Sequence, residues 1–143
     1  MSKKTFTLLF SFFVLVVLVS TGHTQGPKKT ITLPNGDVVC DINGDWDALY
    51  SFYGVWSDVA DVTDVLKITQ KGAVFVGVKQ IGTVWASKGQ EGIRGELTKN
   101  GFKKVQVLTA SEGYLDCTCK ICEDGNKIKL DDGEKMRVTL TRR

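Results

Sequence analysis

Short runs of alternating apolar and polar residues, separated by glycine turns, fill most of this chain. In the last run Met136, Val138 and Leu140 share one face of an extended segment, and polar residues occupy the other. A two-residue period is the pattern of a half-buried β-strand. The turns carry Asn-Gly and Asp-Gly pairs, which adopt the positive φ of tight hairpins, and no proline follows Pro34. The pattern therefore predicts an antiparallel sheet.

The glycine turns divide the sheet into consecutive hairpins with few residues between them. We predict strands at 46–56, 64–70, 73–79, 82–86, 91–99, 102–109, 113–121, 126–131 and 134–142. Closing such a meander removes its two exposed edges, and about eight strands suit a small barrel. The predicted fold class is all-β, a single antiparallel up-and-down β-barrel of about 8 strands. A two-sheet β-sandwich is the alternative.

The first residues have the layout of a secretory signal peptide. Lys3 and Lys4 precede an almost wholly apolar run at 5–19, and small residues follow at Ser20 and Gly22. We expect a signal peptide at 1–22, a flexible N-terminal arm at 23–35 and the barrel domain at 36–143. Cleavage would leave 121 of the 143 residues and a periplasmic or secreted protein. An uncleaved N-terminal anchor is the alternative.

Charge and composition argue against several classes of function. Loss of Lys3 and Lys4, two positive charges, lowers the formal net charge from +3 to +1, which gives no electrostatic case for nucleic acid or a membrane as partner. We expect no integral membrane association after cleavage. His23 is the only histidine, so a folded core without it cannot run Ser-His-Asp or Cys-His catalysis. The predictions are therefore no enzyme, no cofactor and no metal site.

A Gly-x-Trp motif, Gly44-Asp45-Trp46, opens the first long strand. Aromatic residues recur along one face of that strand, which should point inward. Here the chain resembles the calycins, the lipocalin-like and avidin-like barrels. The resemblance implies that Trp46 plugs the closed end of the barrel. It also implies that a late arginine stacks on that indole, with Arg142 the first candidate and Arg137 the second.

A second stretch is similar to a hairpin of small bacterial lipocalin-like and avidin-like domains. It comprises Ile68-Thr69-Gln70-Lys71-Gly72 followed by Phe75-Val76-Gly77. The chain departs from the avidin pattern after Trp46, where Asp47-Ala48-Leu49-Tyr50-Ser51 replaces the polar run of the biotin site. Biotin binding is therefore not implied, and the short chain predicts a small internal cavity or none.

The resemblance makes a non-catalytic binding protein for a small apolar ligand the leading hypothesis. Candidate ligand-binding residues, placed at the end opposite Trp46, are Tyr50, Phe52, Trp56, Gln70, Phe75 and Trp85. Gln70 or Tyr50 would be the polar anchor, and the segment 57–63 a lid. The alternative is that the same aromatics simply fill the core. One alternative function is an exported protein-binding module, such as a protease inhibitor that uses the arm. Another is an exported scaffold with no ligand.

Four cysteines, Cys40, Cys117, Cys119 and Cys122, remain after the predicted leader. An even count in an exported chain predicts two disulfides. A bond between Cys117 and Cys119 is disfavoured, because neighbours on one face of a strand lie too far apart. Two pairings stay open, Cys40–Cys117 with Cys119–Cys122, or Cys40–Cys119 with Cys117–Cys122. The first is slightly preferred. A zinc site is disfavoured because Cys40 stands alone.

Overall fold

A computed structural model describes residues 28–109, 112–122 and 124–143. The predicted signal peptide at 1–22 and residues 23–27 of the predicted arm, including His23, lie outside the described residues. The strands are β1 (Thr30–Thr32), β2 (Val38–Cys40), β3 (Gly44–Phe52), β4 (Val62–Lys71), β5 (Val74–Lys79), β6 (Gly82–Thr83), β7 (Ala86–Ser87), β8 (Glu91–Thr98), β9 (Gly101–Thr109), β10 (Gly113–Ile121), β11 (Lys127–Asp131) and β12 (Met136–Arg142). One 3-10 turn, η1, spans Gly54–Trp56.

Eight of these strands form a closed antiparallel barrel in the order β3-β4-β5-β8-β9-β10-β11-β12, with β12 pairing back onto β3. Each barrel strand thus pairs with its neighbours along the chain, as in an up-and-down meander. The predicted fold class is confirmed, and closure of the sheet excludes the sandwich alternative. The alternation of apolar and polar residues is sufficient to specify how the strands pair, because a one-residue slip in register would turn an apolar face outward.

Three segments differ from the predicted strands. β3 ends at Phe52, and the chain turns into η1, so Trp56 does not continue the inward face of that strand. The predicted strand 82–86 is instead a hairpin of two-residue strands, β6 and β7, which forms a sheet of its own. At the N-terminal side, β1 pairs with β2, so the end of the segment predicted as an arm lies in a hairpin.

The inward faces of the barrel strands form one apolar core. Trp46, Tyr50, Phe75, Leu66, Leu97, Ile128, Leu130 and Leu140 are among its fully buried side chains. Close packing requires glycine at position 95. A Cβ at Gly95 would lie 2.7 Å from the Phe75 ring and 2.4 Å from the carbonyl oxygen of Lys104, so only glycine lets that ring cross β8.

The meander gives the barrel two distinct ends. At one end, which we call the closed end, β3 begins and β8 ends. Residues 41–43 lead into Trp46 at this end. We call the mouth the opposite end, where β3 gives way to η1 and where the β6–β7 hairpin projects. Two further turns, between β9 and β10 and between β11 and β12, complete the mouth.

Candidate functional site

The mouth holds a pocket of about 190 Å³. The pocket forms because η1 and the β6–β7 hairpin rise beside the ends of β3, β10 and β12. Its apolar lining consists of Phe52, Trp56, Val59, Val84, Trp85, Leu115 and Met136. Polar groups lie among the remaining lining residues, where the Lys135 ammonium pairs with Glu112. The pocket is therefore an apolar cup whose charged groups are already paired in part.

Aromatic rings pack edge-to-face beneath and beside this cup. The Trp85 ring lies 5.9 Å from the Phe52 ring and 5.4 Å from the Tyr50 ring, measured between centroids, with interplanar angles of 89° and 82°. These are the separations and angles that aromatic pairs favour. Trp85 thus separates the pocket from the fully buried Tyr50 below it.

A buried ion pair lies under the aromatic layer. Lys79 Nζ donates to Asp64 Oδ2 at 3.0 Å and to the Tyr50 hydroxyl at 3.2 Å, and neither charged side chain is exposed. The ammonium also stands over the Tyr50 and Trp85 rings, 4.7 and 5.5 Å from their centroids. Charge, hydrogen bonds and ring faces together offset the cost of removing these groups from water.

Asp64 also ties the β6–β7 hairpin to the barrel. Its Oδ1 accepts hydrogen bonds from the backbone N–H groups of Val65, Ile81 and Gly82 at 2.6, 3.1 and 3.3 Å. Burial raises the pKa of the Asp64 carboxyl, but the hydrogen bonds from Lys79 and the backbone outweigh it, so the pKa is lowered. Burial lowers the pKa of the Lys79 ammonium, against the opposing pull of Asp64.

This ion pair was not predicted from the sequence, although the positions of its two residues in their strands indicate it. Lys79 follows Phe75 and Gly77 at the two-residue period of the inward face of β5. Asp64 precedes Leu66 and Ile68 in the same way on β4, and the structure buries both faces. When a charged residue occupies a position that the alternation assigns to the inward face, it indicates a charged group that is paired inside the barrel.

Two indole N–H groups in the barrel have different surroundings. Trp46 Nε1 donates to the carbonyl oxygen of Ile42 at 2.9 Å. Trp85 Nε1 is also buried, but it has no hydrogen-bond partner among the described residues. Buried side-chain donors in native proteins are nearly always paired, so an unpaired one at a pocket is informative.

Exposed apolar side chains surround the mouth. Val84 at the tip of the β6–β7 hairpin is 98% exposed, and Val55 in η1 is 88% exposed. Trp56, Val59 and Ile81 are also exposed. Single exposed apolar residues are ordinary, but a group of them around one opening is typical of a binding surface.

The closed end is held together by Arg142. Its guanidinium carbon lies 4.4 Å from the centroid of the Trp46 ring, and its nitrogens donate to the carbonyl oxygens of Asn43, Asp41 and Gly125. Gly44, which begins β3, has a φ of 122° and lies beside the Arg142 side chain. The Arg142 guanidinium therefore lies over the Trp46 ring, in the position that the resemblance implies. Arg137, the second candidate, lies over the Tyr53 ring instead.

Two of the predicted ligand-binding residues lie at the closed end rather than at the pocket. Gln70 accepts from the backbone N–H of Ile42 and donates to the carbonyl oxygens of Cys40 and Gly72, so its amide is used in closing the barrel. Phe75 pairs in register with Gln70 across β4 and β5. Both side chains point inward as expected, but the hairpin that carries them turns at the closed end.

The other predicted binding residues lie at or near the mouth. Phe52, Trp56 and Trp85 line the pocket, and Tyr50 packs beneath Trp85. Residues 57–61 of the predicted lid form the loop after η1, whereas 62 and 63 belong to β4. Two larger grooves, of about 420 and 350 Å³, lie on the outer face of the barrel among charged side chains such as Arg94, Lys104 and Lys129.

The disulfide prediction requires correction, because Cys40, Cys117, Cys119 and Cys122 are all free thiols. Cys117 and Cys119 lie in β10 and pack against the barrel core, where they act as small apolar residues. Cys40, in β2, is itself a buried member of the core, close to Gly125 in the turn after β10. Neither predicted pairing is formed. Burial raises the pKa of the Cys117 thiol to about 12 and also raises that of Cys119.

Comparison with known proteins identifies no relative: the chain matches no protein-family model, no curated protein and no solved structure. Within 28–109, 112–122 and 124–143, no three His, Cys, Asp or Glu side chains are grouped as metal ligands would be. The same residues contain no helix long and apolar enough to cross a membrane.

Proposed function

We propose that this chain is a non-catalytic binding protein that holds a small apolar ligand in the pocket at the mouth. The observation that carries the proposal is the apolar lining of that pocket, built from two indoles, a phenyl ring and aliphatic side chains. We further propose that the chain is an exported calycin of the lipocalin-like kind. The closed eight-stranded meander and the Trp46–Arg142 contact support that assignment.

Pocket size limits the ligand. Drug-sized molecules occupy pockets of roughly 300–1,000 Å³, whereas an apolar cavity of about 150 Å³ is sufficient for benzene. The mouth pocket, at about 190 Å³, matches the smaller class. Below it the barrel is filled by side chains such as Tyr50, Leu130 and Trp46, so the ligand does not descend into the core. The expected ligand is a single ring or a short branched chain.

Toluene is a suitable probe for this function. Burying about 150 Å² of apolar surface at about 25 cal/mol per Å² gives roughly 4 kcal/mol, which corresponds to a Kd on the order of 1 mM. Titration of the isotope-labelled protein, followed by NMR, should shift backbone signals of residues around the pocket, including Phe52, Leu115 and Met136. Shifts at the closed end alone, or none at saturating toluene, would refute the proposal.

A matched pair of variants tests the location. Leu115→Trp places a bulky ring in the pocket and should weaken toluene binding at least tenfold. Val74→Trp adds the same ring at an exposed position on β5, away from the mouth, and should leave the Kd within twofold. Equal effects of the two variants would show that toluene binds elsewhere. The wild-type shift map decides the question if the Leu115 variant folds poorly.

A second candidate function is a module that binds another exported protein. The exposed rim of the mouth favours it, since Val55 and Val84 project into solvent. In this case the pocket would receive one apolar side chain of the partner. Val55→Asp separates the two functions, because Val55 does not line the pocket. The change should leave toluene affinity unaltered but should abolish any complex seen by native mass spectrometry of protein isolated from its own host.

A further inference from the structure

The unpaired indole N–H of Trp85 coincides with the apolar pocket. Among the described residues it is the one buried side-chain nitrogen or oxygen that lacks a hydrogen-bond partner. Leaving a buried donor unpaired costs about 1–3 kcal/mol. The same indole lines the pocket together with Phe52 and Met136, whose side chains offer no oxygen acceptor. Because the nitrogen itself is closed off from solvent, the ring must turn for a molecule in the pocket to supply the missing acceptor.

We propose that the ligand is neutral and carries one hydrogen-bond acceptor, such as a carbonyl or ether oxygen, on a small apolar body. Trp85 Nε1 donates to that oxygen. This inference rests on the proposed function and specifies its ligand class. A formally charged ligand is disfavoured because most of the lining is apolar and its charged groups already have partners. The Lys135 ammonium pairs with Glu112, and Asp132 Oδ1 accepts from the backbone N–H groups of Glu134, Lys135 and Met136.

The hairpin that carries Trp85 is suited to such a contact. β6 and β7 share only two residue pairs and lie outside the barrel sheet, so few backbone hydrogen bonds fix the hairpin beyond the buried Ala86 and the packing of Trp85 on the core. Its base is fixed, because Asp64 Oδ1 accepts from the N–H groups of Ile81 and Gly82. The indole packs edge-to-face with Tyr50 and Phe52, and the proposed contact requires it to rotate until its N–H faces the pocket.

Acetophenone and α-methylstyrene form a matched pair of probes. They have the same ring and branching, and a carbonyl oxygen in the first replaces a methylene group in the second. The NMR signal of the Trp85 indole proton should move downfield with acetophenone and much less with α-methylstyrene. Equal movement with both probes would overturn the assignment of Trp85 as donor. This measurement uses the unmodified protein.

Two variants give an independent readout. Trp85→Phe keeps a ring but removes the donor, so the affinity ratio of acetophenone to α-methylstyrene should fall about tenfold. Tyr114→Phe also keeps a ring and removes a donor, but outside the pocket lining, and should leave the ratio within twofold. An unchanged ratio in Trp85→Phe would overturn the donor role, while the proposed function would stand because both probes still bind. Failure of both probes to bind the wild-type protein would overturn both proposals.

Discussion

Replacing Lys79 with Met should destabilise the barrel strongly. The variant keeps the length of the side chain but removes the ammonium, which leaves the buried Asp64 carboxylate without its counter-charge. Breaking a buried ion pair from one side costs about 3–5 kcal/mol. We expect the lower end, about 3 kcal/mol, because Asp64 Oδ1 keeps its three backbone donors. For a domain of this size the melting temperature should fall by about 12 °C.

The destabilisation should depend on pH. In the wild-type protein the pKa of Asp64 is lowered on folding, so the carboxylate contributes stability above its unfolded pKa of about 3.9. That contribution is lost as the pH falls through the folded pKa. Without Lys79, burial raises the pKa of Asp64 again. The deficit of the Lys79→Met variant should therefore be largest near pH 7 and shrink as the pH falls. It should be smallest below the lowered folded pKa of the wild-type carboxyl, where Asp64 is protonated in both proteins.

Urea unfolding followed by tryptophan fluorescence measures these differences. The control is Lys103→Met, because Lys103 forms an exposed pair with Glu96, whose removal should change stability by less than about 0.5 kcal/mol. The double variant Lys79→Met with Asp64→Asn should be less destabilised than the sum of the two single variants. A loss below about 1 kcal/mol at pH 7, or a loss independent of pH, would refute the reasoning.

Two further predictions concern the closed end and the cysteines. Arg142→Lys keeps the charge but loses the planar fork and the stacking on Trp46, so the unfolding free energy should fall by about 2 kcal/mol. Arg143→Lys is the control, and equal urea midpoints for the two variants would contradict the assigned role. At pH 8, iodoacetamide should modify Cys122 before Cys117 and Cys119, since burial keeps the latter two thiols protonated. Peptide mapping tests this order, and comparable rates at all three would contradict it.

The barrel was predictable because each strand and each turn is specified by residues that are neighbours in the sequence. Alternating residues such as Met136, Val138 and Leu140 define an inward face, and the glycine turns define where each strand ends. The meander order follows because each strand pairs with the next. The one long-range pairing, of β12 with β3, follows from a further argument, because closing the sheet removes its two edges.

The site was less predictable because its residues meet only after the barrel closes. The inward faces of Gln70 and Phe75 were expected correctly, but which end of the barrel they occupy depends on the direction of the hairpin that carries them. Trp56 was placed on β3, whereas the chain leaves the strand at Phe52. The cysteine count predicted disulfides, but the inward position of Cys117 and Cys119 makes them core residues. The number and spacing of the cysteines do not show which of them point into the core.

The contrast between the two ends is the reason we propose binding at the mouth. At the closed end Trp46, Gln70 and Arg142 each use their polar groups in hydrogen bonds to the backbone, so little remains there to recognise a ligand. At the mouth the indole of Trp85 keeps an unpaired donor, and Val84 stays in water. Both features cost free energy, and the proposed ligand would relieve both. The buried Lys79–Asp64 pair holds the base of the Trp85 hairpin in place, so it links the stability of the barrel to the geometry of the pocket.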